Sequence, residues 1–310
     1  MLPAGRTGSP VTVRVPAKVN LQLTVGPPRP DGYHDVVSIF QAVSVYDEVT
    51  VEPAEGLRVV VVGDAAGEVP VDGRNLAARA AVRLAERAGV RADVRLVVRK
   101  DIPVAGGMAG GSADAAGALV ACDALWGTGL RRERLLAIAA ELGSDVPFAV
   151  VGGTAVGTGR GERLTPALAR GRFEWVFAVA AGGLLTPAVY AEIDRLRAGR
   201  AIPEGRPSER LLTALRAGDA EALGRSLRND LQPAACNLRP QLRMTLSVGE
   251  EYGALGAVVS GSGPTCAFLA RDTEHSLDLA VALSASGLCR AVKRAHGPVP
   301  GARVIAPVVP

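Results

Sequence analysis

Residues 102–119 read IPVAGGMAGGSADAAGAL, an apolar approach to a loop of four glycines followed by an alanine-rich stretch. Val94, Leu96 and Val98 alternate just before it and predict a strand; the proline-free run from Ser112 to about Trp126 predicts a long helix. A strand, a glycine loop and a helix in that order make an anion site. Glycines let successive backbone N–H groups turn toward one point, and the helix adds unpaired N–H groups and the positive end of its dipole. The loop lacks the Gly-Lys-Ser/Thr ending of a P-loop, and Ala105 and Ala109 break the GxGxxG pattern of dinucleotide folds. The same residues also suit a flexible turn closed by Ser112 as an N-cap, so the rest of the chain has to decide.

Toward the N-terminus, VTVRVPAKVNLQLTV at residues 11–25 alternates as a strand and runs into a Gly-Pro-Pro-Arg-Pro-Asp-Gly turn at 26–32. Further strands are expected at 36–45, 48–52 and 57–62, and an amphipathic helix at 75–88. Toward the C-terminus the pattern predicts a helix at 132–142 that stops at Gly143, strands near 148–155, 163–165 and 175–181, and a helix at 187–198. GRAIPEGRP at 199–207 is the most linker-like stretch and predicts a boundary or a long connection. Beyond it come helices at 208–216, 220–227 and 238–252, two strands around a glycine loop within 257–270, and a last helix and strand. Asn229 and Asp230 are expected on an exposed helix with a structural role. Strands mixed with helices indicate an α/β (α+β) protein rather than a bundle or a sandwich.

The chain has 310 residues, 48% hydrophobic and 21% charged, enough for two domains or one large one, and this composition excludes wholesale disorder. The apolar run from Trp175 to Ala191 is shorter than the roughly 20 residues of a membrane span and is broken by Gly182-Gly183 and Thr186-Pro187, so no membrane partner is expected. The first ten residues show no apolar leader core, and Cys122, Cys236, Cys266 and Cys289 lie far apart, which predicts a cytoplasmic protein without a disulfide framework or zinc site. A net charge of +4 suits an anionic small substrate as well as nucleic acid, but no basic run carries interleaved aromatics, so a nucleic-acid partner is not expected. Of the 35 Lys and Arg residues only Lys18, Lys100 and Lys293 are lysine. A lysine inside an apolar strand then calls for a reason, since an ammonium offers a compact charge on a thin stem.

Taken together, Pro-x-x-x-Gly-x-x-Gly-Gly-Ser-x-x-Ala-Ala at 103–116, Ala17-Lys18-Val19-Asn20 in the first strand and Ser260-Gly261-Ser262-Gly263-Pro264-Thr265 resemble the three motifs of the GHMP kinases. Asp31-Gly32-Tyr33-His34, Asn75-Leu76, Gly143-Ser144-Asp145-Val146-Pro147-Phe148 and Asn229-Asp230-Leu231 extend the resemblance over nearly the whole chain and toward the branch that acts on a cytidyl diphosphate. The resemblance implies a two-domain GHMP kinase fold with a ribosomal-protein-like N-terminal domain (1–165), a C-terminal GHMP domain (166–310) and the active site in the cleft between them. It also implies transfer of the γ-phosphoryl group of ATP, with Mg²⁺, to the 2-hydroxyl of 4-diphosphocytidyl-2-C-methyl-D-erythritol in non-mevalonate isoprenoid precursor biosynthesis. In a mevalonate- or homoserine-type kinase, the alternative within the superfamily, Asp-Gly-Tyr-His would have no base to bind.

By the same resemblance Lys18 and Asp145 are the catalytic pair, with Asp145 orienting or accepting the hydroxyl proton and Lys18 keeping it ionised. The residues alone also allow a snorkelling lysine and an N-capping aspartate. Asn20 shares the face of Lys18 because strand side chains alternate, and it is expected to position the acceptor. Tyr33 and His34 are implied as a cytosine site, with Tyr190, beyond Thr186, on the second face of the base; Gly261 and Ser262 are expected to close over the substrate. Packing of Tyr190 on the helix from Pro187 is the lesser alternative. Asn75 and Leu76 are implied on the adenine side, and Pro103, Val104, Ala105, Gly106, Gly107, Met108, Ala109, Gly110, Gly111, Ser112 and Ala113 around the triphosphate. The loop departs from the usual pattern at Ala105, Met108, Ala109, Ala113 and Asp114. Ala109 is expected to resist a positive φ, and Asp114 to repel a triphosphate unless it faces away or meets Mg²⁺.

Overall fold

In the computed structural model, which describes residues 9–64 and 66–305, the alternating N-terminal residues form two long antiparallel strands, β1 (Val11–Pro28) and β2 (His34–Pro53). β3 (Arg58–Val62) and β4 (Val94–Arg99) lie parallel, because the connection between them runs through helix α1 (Leu76–Ala88). Asn75 begins that helix by accepting from Ala77 N and Ala78 N, and Gly89 ends it at φ 68. The glycine loop follows β4 and leads into α2 (Gly110–Trp126), then α3 (Arg132–Leu142), α4 (Val146–Val151), β5 (Thr154–Thr158) and β6 (Arg163–Pro166).

A second, antiparallel sheet has the order β11-β7-β10-β9, from Ala291–Gly297, Phe173–Val179, Cys266–Ala270 and Gly256–Val259. Around it lie α5 (Thr186–Arg197), α6 (Glu209–Ala217), α7 (Ala220–Gly224), α8 (Gln232–Leu238), α9 (Gln241–Glu251) and α10 (Thr273–Ala285). Two short strands return to the first sheet and flank β1: β8 (Arg228–Asn229) in parallel and β12 (Arg303–Ile305) antiparallel. The sheets are tied directly. Trp175 Nε1 donates to Gln41 Oε1 at 3.0 Å and His296 N to Ser44 Oγ at 2.9 Å.

Four elements differ from the local pattern. Val146–Val151 is helical where a strand is expected, since Pro147 fits a first turn, Gly152 ends the helix at φ 67, and the apolar run is almost wholly buried and so carries no readable period. The helix expected at 238–252 begins only at Gln241, after an unexpected helix, α8, that ends at Leu238; Pro240 has no N–H to join the two. α2 begins at Gly110, two residues before Ser112. Asn229 and Asp230 lie at the edge of β1, Asn229 buried and Asp230 half-buried, with Asp230 Oδ2 accepting from Val25 N and Arg197 Nη2. The 199–207 stretch is an irregular connection, and the run from Trp175 to Ala191 is β7, a turn and the start of α5. Among the described residues no helix is long and apolar enough to cross a membrane, and all four cysteines are free thiols.

α2 carries the glycine loop, and its seat on the sheet is close. Ala115, Ala116, Ala118 and Ala121 are fully buried, and a Cβ on Gly117 would stand 2.6 Å from Val49 Cγ2 and 2.9 Å from Val15 Cγ2. Small residues here let the helix approach β1 and β2. Gly117→Val should lower the stability to denaturant by about 1–3 kcal/mol through overpacking; an unchanged midpoint would show that the helix can lift off the sheet without penalty.

Candidate active site

The first turn of α2 has no side-chain cap, so its leading N–H groups have no partner from a capping side chain. Ala109 sits at the N-cap with φ 61, and Ala105 has φ 50. Both adopt the left-handed conformation that a Cβ opposes, at about 1–2 kcal/mol each. The expectation that Ala109 resists a positive φ is therefore corrected: Ala109 adopts one at the start of α2. Gly107 allows no such substitution, because at φ 77 a Cβ would lie 2.0 Å from Ser260 O. Met108 points into the core, Pro103 and Ala113 are buried with it, and the Met108 carbonyl accepts from Lys18 N at 3.3 Å. These three side chains hold the loop and do not line the cleft.

Lys18 comes up from β1 beneath this loop. Its Nζ donates to Gly107 O at 2.8 Å and Asn20 Oδ1 at 2.6 Å, and Asp145 Oδ2 stands 3.9 Å away. Asn20 Nδ2 in turn donates to Ser38 Oγ. Burial pushes the Lys18 ammonium below its ordinary value, and the Asp145 carboxylate draws it back up. Asp145 sits at the start of α4 without accepting a cap bond, so its carboxylate is free to face the cleft. From the other side Gly261 closes in, where a Cβ would stand 3.0 Å from Lys18 Nζ. Asn229 Nδ2 holds that loop by donating to Gly261 O and Val259 O, both at 2.7 Å.

A cleft of about 490 Å³ opens over these groups and is lined by Lys18, Asn20, Asp145, the glycine loop, Gly261 and Ser262. Thr186 and Tyr190 form its far wall, with Thr186 Oγ1 2.9 Å from Ser262 Oγ. The His34 and Tyr190 rings lie 4.9 Å apart. Burial, and then Asp145, push the Tyr190 hydroxyl up to about 12, so it remains a neutral donor. His34 Nε2 is 2.9 Å from Asp194 Oδ1, a carboxylate that fixes the ring and favours a proton on Nε2. Tyr33 is 54% exposed at the rim, with the Arg160 guanidinium 5.0 Å from its ring centroid. Arg160 also lines the cleft. Sequence reasoning missed Ser144, Arg160, Asp194 and the hold of Asn229 on Gly261; the Gly159-Arg160-Gly161 turn was the one local signal, a cation raised on a tight turn.

Beside the cleft a recess of about 260 Å³ is lined by Asn75, Leu76, Val104, Ala105, Gly111 and Lys100. The Asn75 side chain is occupied with its cap and with donation to Pro70 O, so its place in the recess is structural first. Below lies a buried ion cluster: Lys100 Nζ is 2.5 Å from Asp47 Oδ2 and 2.8 Å from Asp114 Oδ2. Asp114 thus points down from α2 to Lys100, while Asp114 Oδ1 has no partner. Burial raises the Asp114 carboxyl, Lys100 draws it down, Asp47 pushes it up again, and it stands at about 8. Among the described residues no cluster of His, Cys, Asp and Glu could hold a metal ion.

Residues 75–153 match the family model of the GHMP kinases N terminal domain, and residues 211–287 that of the GHMP kinases C terminal. The chain is 61% identical over 295 residues to the 4-diphosphocytidyl-2-C-methyl-D-erythritol kinase of Streptomyces avermitilis, covering 95% of this chain and 99% of that protein. A crystal structure of a 4-(cytidine 5'-diphospho)-2C-methyl-D-erythritol kinase aligns with a TM-score of 0.75 at 35% identity, over 92% of this chain and 98% of that one. A homoserine kinase from Cytophaga hutchinsonii reaches the same TM-score, 0.75, at 18% identity over 98% of this chain and 100% of its own, a likeness of fold alone.

The buried cluster makes stability depend on pH. An unfolded chain keeps the Asp114 carboxyl near 3.8, so between about pH 4 and about pH 8 the native state holds a proton that the unfolded state lacks. That contribution is complete at the acid end and is lost as pH rises. The unfolding free energy should fall across this window by up to about 1.4 kcal/mol per pH unit, and Asp114→Asn should flatten the decline. Denaturant titrations of both proteins at several pH values check it; a wild type whose stability does not fall relative to Asp114→Asn over the window would refute it.

Proposed function

Because the chain belongs to the 4-diphosphocytidyl-2-C-methyl-D-erythritol kinases of the GHMP superfamily, we propose that it transfers the γ-phosphoryl group of ATP to the 2-hydroxyl of 4-diphosphocytidyl-2-C-methyl-D-erythritol, giving the 2-phosphate and ADP in non-mevalonate isoprenoid precursor synthesis. The observation that carries this reading is the Lys18–Asp145 pair, 3.9 Å apart, set in one cleft between the glycine loop and the Thr186–Tyr190 wall, with the buried His34 ring 4.9 Å from that of Tyr190. In the N-terminal part, 1–165, the α2 N-terminus and the loop amides of Gly106, Gly107, Gly110, Gly111 and Ser112 receive the triphosphate, with the adenosine in the recess by Leu76. Part 166–310 closes the acceptor side through Thr186, Tyr190, Gly261 and Ser262.

Catalysis in such a site is alignment and charge neutralisation. Asp145 accepts a hydrogen bond from the acceptor hydroxyl and takes its proton as the oxygen meets the γ-phosphorus. Lys18 keeps Asp145 ionised and faces the charge of the transferred group, while Asn20 fixes the ammonium. The Ser112 hydroxyl, at the uncapped start of α2, would be the protein group to reach a Mg²⁺ bound with ATP, which would supply charge neutralisation at the phosphate oxygens. On the acceptor side His34 Nδ1 accepts from the exocyclic amine of cytosine, with Tyr190 against the base. Arg160 lies over Tyr33 at the mouth, where it can pair with the diphosphate. The free thiols fit a cytoplasmic setting.

An ADP-release assay tests this directly. The cytidyl substrate should be turned over while mevalonate and homoserine are not, and Asp145→Ala should lower kcat by about 10²–10⁴ with nucleotide affinity retained. Near-normal turnover of that variant would remove Asp145 from the chemistry. Asp194→Asn, which frees the His34 tautomer, should raise KM for the cytidyl substrate and leave that for ATP unchanged; equal effects on both would separate His34 from the base.

A further inference from the structure

The connection from α5 to α6 closes over the side of β1 that faces away from the cleft and encloses a second cavity of about 440 Å³. Lys18, Asn20 and Leu23 line the cleft, whereas Gln22, Thr24 and Val25 line this cavity. The wall is anchored. Gln22, 4% exposed, donates from Nε2 to Arg206 O at 2.8 Å and accepts from Ser208 N at 2.8 Å. Gly205 packs so near Thr24 that a Cβ would stand 3.1 Å from Thr24 Cγ2.

Its charge is unbalanced. Arg197, Arg200, Arg206 and Arg228 line it, against Glu204 and Asp230. Asp230 is fully engaged, Oδ2 by Val25 N and Arg197, Oδ1 by Arg228 Nε. Glu204 is exposed and pairs with none of these guanidiniums, and Arg200 and Arg206 form no ion pair among the described residues. Like charges gathered in a concave site raise each other's energy, and an anion with several acceptor oxygens offsets that cost through forked hydrogen bonds. The N-terminus of α6, capped by Ser208, opens onto the same cavity and adds a favourable dipole end. Val25, Ile202 and Pro203 supply an apolar wall for the body of a small molecule.

We propose that this cavity is a second ligand site, separate from the catalytic cleft, that binds a small diphosphate-bearing molecule through Arg200 and Arg206. Isothermal titration of inorganic pyrophosphate into the full chain, with ADP and CMP saturating the cleft, tests it. One binding event should remain, weaken as salt rises, and weaken at least about tenfold in Arg200→Ala/Arg206→Ala. Both side chains are exposed, so the double variant should melt as the wild type does and keep its turnover within about twofold. No residual binding in the wild type, or equal affinity in the double variant, overturns the proposal.

Discussion

The carbonyl of Gly107 is the point on which the site depends. It accepts from Lys18 Nζ at 2.8 Å and from Ser260 Oγ at 3.0 Å, so β1, the glycine loop and the loop after β9 meet at one oxygen. Close backbone approach makes the meeting possible, for a Cβ at Gly107 would lie 2.0 Å from Ser260 O and one at Gly261 3.2 Å from Gly107 O. An ammonium buried this deeply is costly unless several acceptors surround it. Gly107 O, Asn20 Oδ1 and the Asp145 carboxylate are those acceptors. The buried Lys18 ammonium and the glycine loop are therefore held by the same bonds.

Beneath the loop the Asp47–Lys100–Asp114 cluster does similar work from below. Asp47 Oδ1 accepts from Asp101 N and Ile102 N at the end of β4, and its other oxygen meets Lys100, which also reaches Asp114 on α2. Strand end and helix start are thus pinned to one ammonium. The arrangement also turns Asp114 toward Lys100 rather than toward the cleft, so the acid expected to repel an anion at that turn faces away from it.

The far side of the cleft and the residues behind it are assembled from distant segments. His34 begins β2, Asp194 and Tyr190 belong to α5, and Arg160 stands on the turn between β5 and β6. Each alone is unremarkable; an aspartate on an amphipathic helix ordinarily faces water. Only the packing of α5 beside the start of β2 brings Asp194 within 2.9 Å of His34 and favours one tautomer of the imidazole.

The strand, glycine loop and helix at 94–126 were legible because their signals are local: alternation, glycines that release the backbone, and an uninterrupted helical run. Lys18 stood out for the same reason, a rare lysine in an apolar strand, and the 199–207 connection by its Gly, Pro and Arg content. Tertiary structure alone decided the rest. The Val146–Val151 segment is nearly all buried, so its burial erased the period that separates helix from strand. Ala109 takes a positive φ at the start of α2, against the preference of its own Cβ. Asn229 serves Gly261 across 32 residues, and Asp194 serves His34 across 160. A sequence encodes the preferences of neighbouring residues; which far-apart groups share a buried volume is set by packing, and with it the tautomer, the ion pairs and the shape of the cleft.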